Sequence, residues 1–330
     1  MSILLISSEA DDHASAVRQA LRSRHGLEAI LLDTGRYPVD LRLSLEWERG
    51  SGPVAATIVE PSGPALRLDG CAVAWWRRPQ PMTLAPELET GVARHFAYTE
   101  AFHAISGLWS TLPATWVNDP LADEEAGRKP FQLAVARQVG FEIPKTLITN
   151  DPDAVRAFVA DVGSEQTIYK AFAGTPEAWR ETRILRSEET DLLDAVRYAP
   201  VIFQEFVPAV RDIRVTVMGT HVFASEIDSS RGDYHVDYRA DLGAADVRSH
   251  ELPHAVVAHI TALQRRLGLV YGAIDLRLTP AGKYVFLEIN PSGQWLFMEE
   301  RTGQPMTDTF ADLLAELASR QVDLELDVAA

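Results

Sequence analysis

Gly272-Ala273-Ile274-Asp275-Leu276-Arg277 and Tyr284-Val285-Phe286-Leu287-Glu288-Ile289-Asn290-Pro291 decide how this chain is read. Both segments are apolar and rich in branched residues. Pro280-Ala281-Gly282-Lys283 between them carries turn chemistry, so the pair predicts a β-hairpin. Side chains two apart on a strand share a face, which groups Asp275 with Arg277 and Glu288 with Asn290. If the strands are neighbours, one carboxylate meets a second carboxylate and an amide. Three oxygen donors, with no Cys or His among them, suit Mg²⁺ or Mn²⁺, particularly where phosphate oxygens complete the octahedron. An ordinary hairpin whose polar residues face water is the plain alternative; three donors in phase favour the metal site.

The rest of the chain bounds what that hairpin can serve. Its 330 residues suffice for two or three domains, and 46% hydrophobic with 24% charged residues describes a globular protein. A formal charge of -16 argues against broad nucleic-acid binding, which needs a basic face. The one cysteine, Cys71, cannot form an internal disulfide, which fits a reducing compartment. The opening residues lack the basic start and long apolar core of a signal peptide, and no run approaches a membrane span, so a cytoplasmic protein is expected.

Residues 3–6, 14–24 and 29–32 read as strand, helix and strand, a β-α-β opening that predicts a parallel sheet without a glycine-rich phosphate loop. Further strands are expected at 41–47, 55–59 and 72–76, and an amphipathic helix at 86–108. The strand at 72–76 runs into Arg77 and Arg78, suited either to grip an anion or to face water. From residue 121 the pattern predicts helices at 130–139, 152–162, 187–198, 255–268 and 308–319. Strands are predicted at 141–150, 166–171, 179–185, 201–207, 211–218 and 221–227, with a polar loop at 228–245. His221, His235 and His254 read as surface or loop residues rather than zinc ligands.

Phosphates held by a metal leave negative charge for cations to balance. Lys129 and Lys170 stand at element boundaries, and Lys170 precedes Phe172-Ala173-Gly174, a loop suited to cover phosphates. Backbone groups of Phe203-Gln204-Glu205-Phe206-Val207 suit an adenine edge, with Glu205 or Asp212 reaching a ribose. Asp212 and Arg214 share a face. Arg214 is placed for a phosphate, or the two form a surface ion pair contributing about 0–1 kcal/mol.

Taken in order, Lys129, Lys170, Gln204-Glu205-Phe206-Val207, Asp212-Ile213-Arg214, Asp275-Leu276-Arg277 and Glu288-Ile289-Asn290 resemble the ATP-grasp carboxylate–amine ligases. Asn290-Pro291-Ser292-Gly293-Gln294-Trp295, Trp76-Arg77-Arg78-Pro79 and Lys129-Pro130-Phe131-Gln132-Leu133-Ala134 are similar to the microviridin-type graspetide ligases, whose members often read Asn-Pro-Asn-Gly at the first of these. The resemblance spans nearly the whole chain. It implies an α/β fold of the α+β ATP-grasp type: an N-terminal parallel-sheet domain at 1–118, then a central subdomain at 119–203 and a C-terminal subdomain at 204–330, holding ATP between them.

It also implies an ADP-forming ligase. Such an enzyme installs side-chain ester or amide links in a ribosomal precursor peptide through an acyl phosphate. Asp275, Glu288 and Asn290 would hold Mg²⁺ (or Mn²⁺). Lys129, Lys170, Gln204, Glu205, Phe206, Val207 and Asp212 would bind ATP, while Arg214 and Arg277 would stabilise developing charge. The precursor's leader would dock near 179–191, where Trp179, Glu188, Glu189 and Asp191 lie, although acidic residues at a helix start also answer the helix dipole. A homodimer is implied as well. Two competitors stand beside this reading: a ligase adding a free amino acid to a carboxylate, and a non-catalytic ATP- or peptide-binding module.

Overall fold

Two compact units make up the chain: Met1–Asp123 with Pro305–Ala330, and Glu124–Gln304. The computed structural model describes residues 2–49, 54–61, 63, 65–172, 182–228 and 245–329. Ala173 and Gly174 of the expected covering loop, Trp179 with the start of its strand, and His235 with most of the 228–245 loop lie outside the described residues.

In the first unit Ala29–Leu32, Ser2–Ile6, Cys71–Trp76 and Thr115–Val117 form a parallel sheet in that order. Ile3, Leu4, Leu5 and Ile6 are fully buried, as strands covered on both faces require. The helix Asp12–Ala20 starts at Asp11, whose carboxylate accepts the His13 backbone N–H. Its continuation ends at Gly26, where φ is +64°. Arg42–Glu46 and Ala55–Val59 pair in a separate antiparallel sheet with Ala65–Arg67, a short strand the sequence pattern did not flag. The long helix is Gly91–Thr111, later than the expected 86–108, because the Thr90 hydroxyl caps it by accepting the Ala93 N–H. Ala101, Ile105, Leu108 and Trp109 are its buried stripe, whereas Val92, Phe96 and Phe102 stay exposed.

Arg77 does not face water. It is fully buried, donates from Nε to Asp11 Oδ2 at 3.0 Å, and lies 5.9 Å from the Trp75 ring centroid. Arg78 is exposed. The terminal helix Met306–Ala329 packs against Cys71–Trp76 and Asp12–Ala20, with Phe310 and Trp75 ring centroids 4.7 Å apart. It therefore belongs to the first unit, although sequence order had grouped it with 204–330.

The second unit holds two antiparallel sheets. One runs Arg183–Ile184, Thr167–Lys170, Val201–Glu205, Thr146–Thr149. The helix Pro152–Val162 and the tight 3₁₀ turns Ser187–Tyr198 cover it through Val155, Phe158, Leu193, Val196 and Phe203. The other runs Asp246–Ser249, His221–Asp228, Arg211–Met218, Tyr271–Leu278, Tyr284–Asn290. Ile213, Val215, Ile274, Leu276, Phe286 and Ile289 face a core shared with the helices Lys129–Gln138 and His254–Leu267. Each such side chain, fully buried, contributes about 1.5–3 kcal/mol. His221 and His254 are exposed, in keeping with a surface role. Among the described residues no helix is long and apolar enough to cross a membrane.

Candidate active site

Alternation along the two central strands places charge opposite the core. Ile213, Val215, Ile274 and Leu276 point into the apolar cluster. Period 2 therefore sends Asp212, Arg214, Asp275 and Arg277 to the other face. These four are nonetheless buried, at 5–6% exposure. Burying charge is costly without a partner, and the register supplies one for each. Arg214 lies opposite Asp275, and Asp212 opposite Arg277. Arg214 Nη1 donates to both Asp275 carboxylate oxygens at 2.9 Å, and Nη2 to the Gln294 carbonyl at 3.3 Å. Arg277 Nε donates to Asp212 Oδ1 at 2.9 Å and Nη1 to the Val207 carbonyl at 2.8 Å, with its guanidinium 5.2 Å from the Phe206 ring centroid.

Of the two readings open for Asp212 and Arg214, the surface ion pair between them is not formed; two buried cross-strand pairs stand in its place. Residues two apart on one strand are about 7 Å apart, whereas directly opposed residues bring their Cβ atoms to about 5 Å.

The outer strand adds the second carboxylate. Asp275 lies opposite Glu288 and Ala273 opposite Asn290, but Leu276 lies opposite Phe286, so Leu287 is the extra residue of a β-bulge. The register therefore presents Asp275, Glu288 and Asn290 on one face. Lys129 Nζ donates to Glu288 Oε2 at 2.7 Å, and Asn290 Nδ2 donates to Glu288 Oε1 at 3.3 Å. After Asn290 the chain turns tightly. A Cβ on Gly293 would sit 2.4 Å from Ala273 Cβ and 2.9 Å from Arg214 Nη2, so only glycine lets this turn lie against the site.

Lys170, Gln204, Glu205, Val207, Asp212, Asp275, Arg277 and Glu288 line a single cleft with contributions from both sheets of this unit. Lys129, Arg214 and Asn290 reach it through their bonds to lining carboxylates. Of the hinge groups, the Phe206 N–H donates to the Gln166 carbonyl and the Val207 carbonyl accepts from Arg277, so both are engaged. Gln204 is the better acceptor: its Nε2 donates to Thr146 Oγ1 at 3.0 Å, while Oε1 is buried, lacks a hydrogen-bond partner and belongs to a cleft-lining residue. Glu205 is exposed, and Asp212 is held by Arg277.

The residues present suit a divalent cation with nucleotide phosphates. An ionised carboxylate offers about four lone-pair sites. Asp275, which meets Arg214 through both oxygens, and Glu288, which meets Lys129 and Asn290, keep the oxygen-donor chemistry that a cation takes. Among the described residues no three His, Cys, Asp or Glu side chains gather as a metal centre, so a cation here would draw on two carboxylates, the Asn290 amide oxygen and ligand oxygens. Lys129, Lys170, Arg214 and Arg277 already match Asp212, Asp275, Glu288 and Glu205 in charge, and a metal–nucleotide complex joins an otherwise balanced site.

Glu188, Glu189 and Asp191 stand apart from this cleft. Glu189 borders a second, largely apolar cavity of about 860 Å³ with Leu192, Val196 and Phe203, and Lys170 lines both this cavity and the cleft. Glu189 also accepts the Arg186 backbone N–H at 3.0 Å and the Tyr169 hydroxyl at 3.2 Å. Glu188 and Asp191 are exposed. Gln132, quoted above only within the Lys129–Ala134 motif and given no role there, is 1% exposed and bonds the backbone between Glu288 and Asn290. A glutamine three residues after Lys129, beside Leu133 and Ala136 on the buried face of its helix, was the available signal.

Scans of protein-family models and of curated protein sequences found no match. Solved structures do match. The macrocyclase MdnC of Microcystis aeruginosa MRC, bound with precursor peptide MdnA, is 26% identical over 96% of this chain and 100% of its own, with a TM-score of 0.83. A RiPP-associated ATP-grasp ligase of Chryseobacterium gregarium, in complex with ADP and a leader and core peptide, is 26% identical over 96% of each chain, with a TM-score of 0.85. ATP-grasp ligase PsnB, complexed with a phosphomimetic variant of minimal precursor, Mg and ADP, is 25% identical over 96% of this chain and 98% of its own, with a TM-score of 0.76. Fold and similarity together make this chain an ATP-grasp ligase. Its architecture is that of the graspetide maturases.

Proposed function

We propose that the protein uses ATP and Mg²⁺ to close side-chain ester or amide links in a ribosomal precursor peptide. One observation carries this reading: Asp275, Glu288 and Asn290 share a face beside Lys129, Lys170, Arg214 and Arg277, on a fold whose solved neighbours are ligases bound to precursor peptides, ADP and Mg.

In this reaction a peptide Asp or Glu carboxylate attacks the γ-phosphorus of ATP. The bond to the β-phosphate oxygen breaks, ADP leaves, and an acyl phosphate remains. A Thr or Ser hydroxyl, or a Lys amine, then attacks the acyl carbon, loses its proton and expels phosphate. Mg²⁺, when bound, neutralises phosphate charge as a Lewis acid, with Asp275, Glu288 and Asn290 as its protein ligands. Lys129 and Lys170 bind phosphate oxygens. Gln204 Oε1 accepts from the adenine amine, and Glu205 meets the ribose. Arg277 is fixed by Asp212 and the Val207 carbonyl, so its guanidinium charge is preorganised for charge that develops on the transferring group. Arg214 stabilises the same charge from beside Asp275.

In this scheme residues 119–203 and 204–304 hold the nucleotide between them. Residues 1–118 and the terminal helix form the flanking domain. The leader binds beside Trp179, Glu188, Glu189 and Asp191. The enzyme acts in the cytoplasm as a homodimer.

The test is incubation with Mg·ATP and a candidate precursor bearing a Thr/Ser- and Asp/Glu-rich tail. The expected product has lost the mass of one water per link, with one ADP formed for each. A product heavier by an amino acid would instead establish a ligase for free amino acids. Peptide and ATP binding without ADP formation would establish a binding module.

A further inference from the structure

The strand that carries Glu288 and Asn290 is the last of its sheet. The outer edge of such a strand presents backbone N–H and C=O groups with no neighbouring strand. Among the described residues this edge is served in two places. Near its start, Glu142 bridges Val285 and its carbonyl accepts the Phe286 N–H at 2.9 Å. Near its end, a side chain takes the place of a strand. Gln132 Oε1 accepts the Ile289 N–H at 3.2 Å, and Gln132 Nε2 donates to the Ile289 carbonyl at 2.7 Å and to the Ala126 carbonyl at 2.6 Å. One acceptor and both amide hydrogens are thereby used, as a side chain only 1% exposed requires.

Ile289 lies between the two proposed cation ligands, and Lys129, which binds Glu288, stands three residues before Gln132 in the same helix. One rigid element therefore grips this strand at the Glu288 side chain and at the adjoining peptide. The bulge at Leu287 interrupts the regular ladder just before that point.

We propose that Gln132 is a positioning residue, which fixes the Glu288–Ile289–Asn290 backbone so that both donors meet the cation of a bound nucleotide. The inference rests on the ligase reading above. Partners that orient metal ligands typically govern affinity by about 10–100-fold.

The test compares full-length wild type with Q132M, which keeps the length and volume of the side chain but removes all three bonds. Q132E, which can still accept from Ile289 but no longer donates, is the second variant should Q132M not fold. L263A, a core change on the helix His254–Leu267, is the control for general loosening. Calorimetric affinity for Mg·ADP and hydrogen exchange of the 284–290 segment are measured for each. Q132M is expected to bind Mg·ADP about 10–100-fold more weakly and to lose protection at 284–290. L263A should bind as wild type does. Wild-type affinity in folded Q132M, or equal weakening in L263A, would overturn the proposal. A wild type that binds no Mg·ADP would overturn the ligase reading itself, and the exchange data would then show separately whether Gln132 clamps the strand.

Discussion

Replacing Arg214 by methionine leaves Asp275 as a buried carboxylate without its guanidinium. Both residues are 6% exposed, and a single nitrogen, Nη1, meets both carboxylate oxygens at 2.9 Å. Removing one member of such a buried pair costs about 3–5 kcal/mol, against about 0–1 kcal/mol for an exposed pair. At about 2–4 °C per kcal/mol for a unit of this size, R214M should lower the Tm of Glu124–Gln304 by roughly 6–20 °C. The assay is thermal unfolding of full-length protein without ligand, followed at 280 nm and by calorimetry. Deleting both charges in R214M/D275L removes the stranded carboxylate, so the double variant should recover most of the loss. A drop of about 3 °C or less in R214M, or a double variant less stable than R214M, would refute the buried-pair reasoning.

Other expectations follow from the same contacts. D275N and E288Q should each abolish ADP release, measured below the unfolding transition of each variant, because each replaces a charged oxygen donor with an amide. D275N also breaks the buried pair with Arg214 and should melt at a lower temperature than wild type. Retained turnover by coupled assay would remove the two residues from the site. His13 is held below its ordinary 6.5 by burial, with the Arg77 charge adding to this and its bond to Asp11 opposing it. The unfolded chain therefore binds the extra proton first. The stability that neutral His13 contributes is full above about pH 6.5 and is lost as pH falls toward its folded-state value. Asp11 next to it is lowered on balance: burial alone would raise it, but the His13, Arg77 and Ser7 contacts outweigh burial, so its own contribution is lost only below 3.8. H13Q should flatten the decline of Tm between pH 7 and pH 5, and parallel wild-type and variant curves would contradict this. Burial pushes the Cys71 thiol up to about 11, so it should react with a thiol reagent only on unfolding; stoichiometric labelling of native protein would show the strand Cys71–Trp76 to be open.

Much of this was legible in the chain because two periodicities are local. Alternation from Gly272 to Arg277 and from Tyr284 to Asn290 marked a hairpin with donors in phase, and the register does place Asp275, Glu288 and Asn290 on one face. What alternation along one strand does not carry is which strand lies opposite. The pairing of Arg214 with Asp275 and of Arg277 with Asp212 depends on the register of two strands about 60 residues apart in sequence. The bulge at Leu287 and the Gln132 clamp likewise exist only once the sheet edge is formed. The apolar spacing predicts a helix from residue 86, but the Thr90 cap sets its start at Gly91. Ala65–Arg67 and Leu296–Thr302 are too short for periodicity to register. The terminal helix was recognised by its apolar spacing, but tertiary packing alone assigned it to the first unit.

The account turns on a cation held where two strands bring their oxygens together. A crystal soaked with Mn²⁺ and ADP tests it most directly, through the anomalous signal of the metal. The expected result is a peak within coordination distance of Asp275, Glu288 and Asn290 oxygens, bridging to the nucleotide's phosphates. Clear density for ADP in the cleft with no anomalous peak beside those three side chains would contradict it.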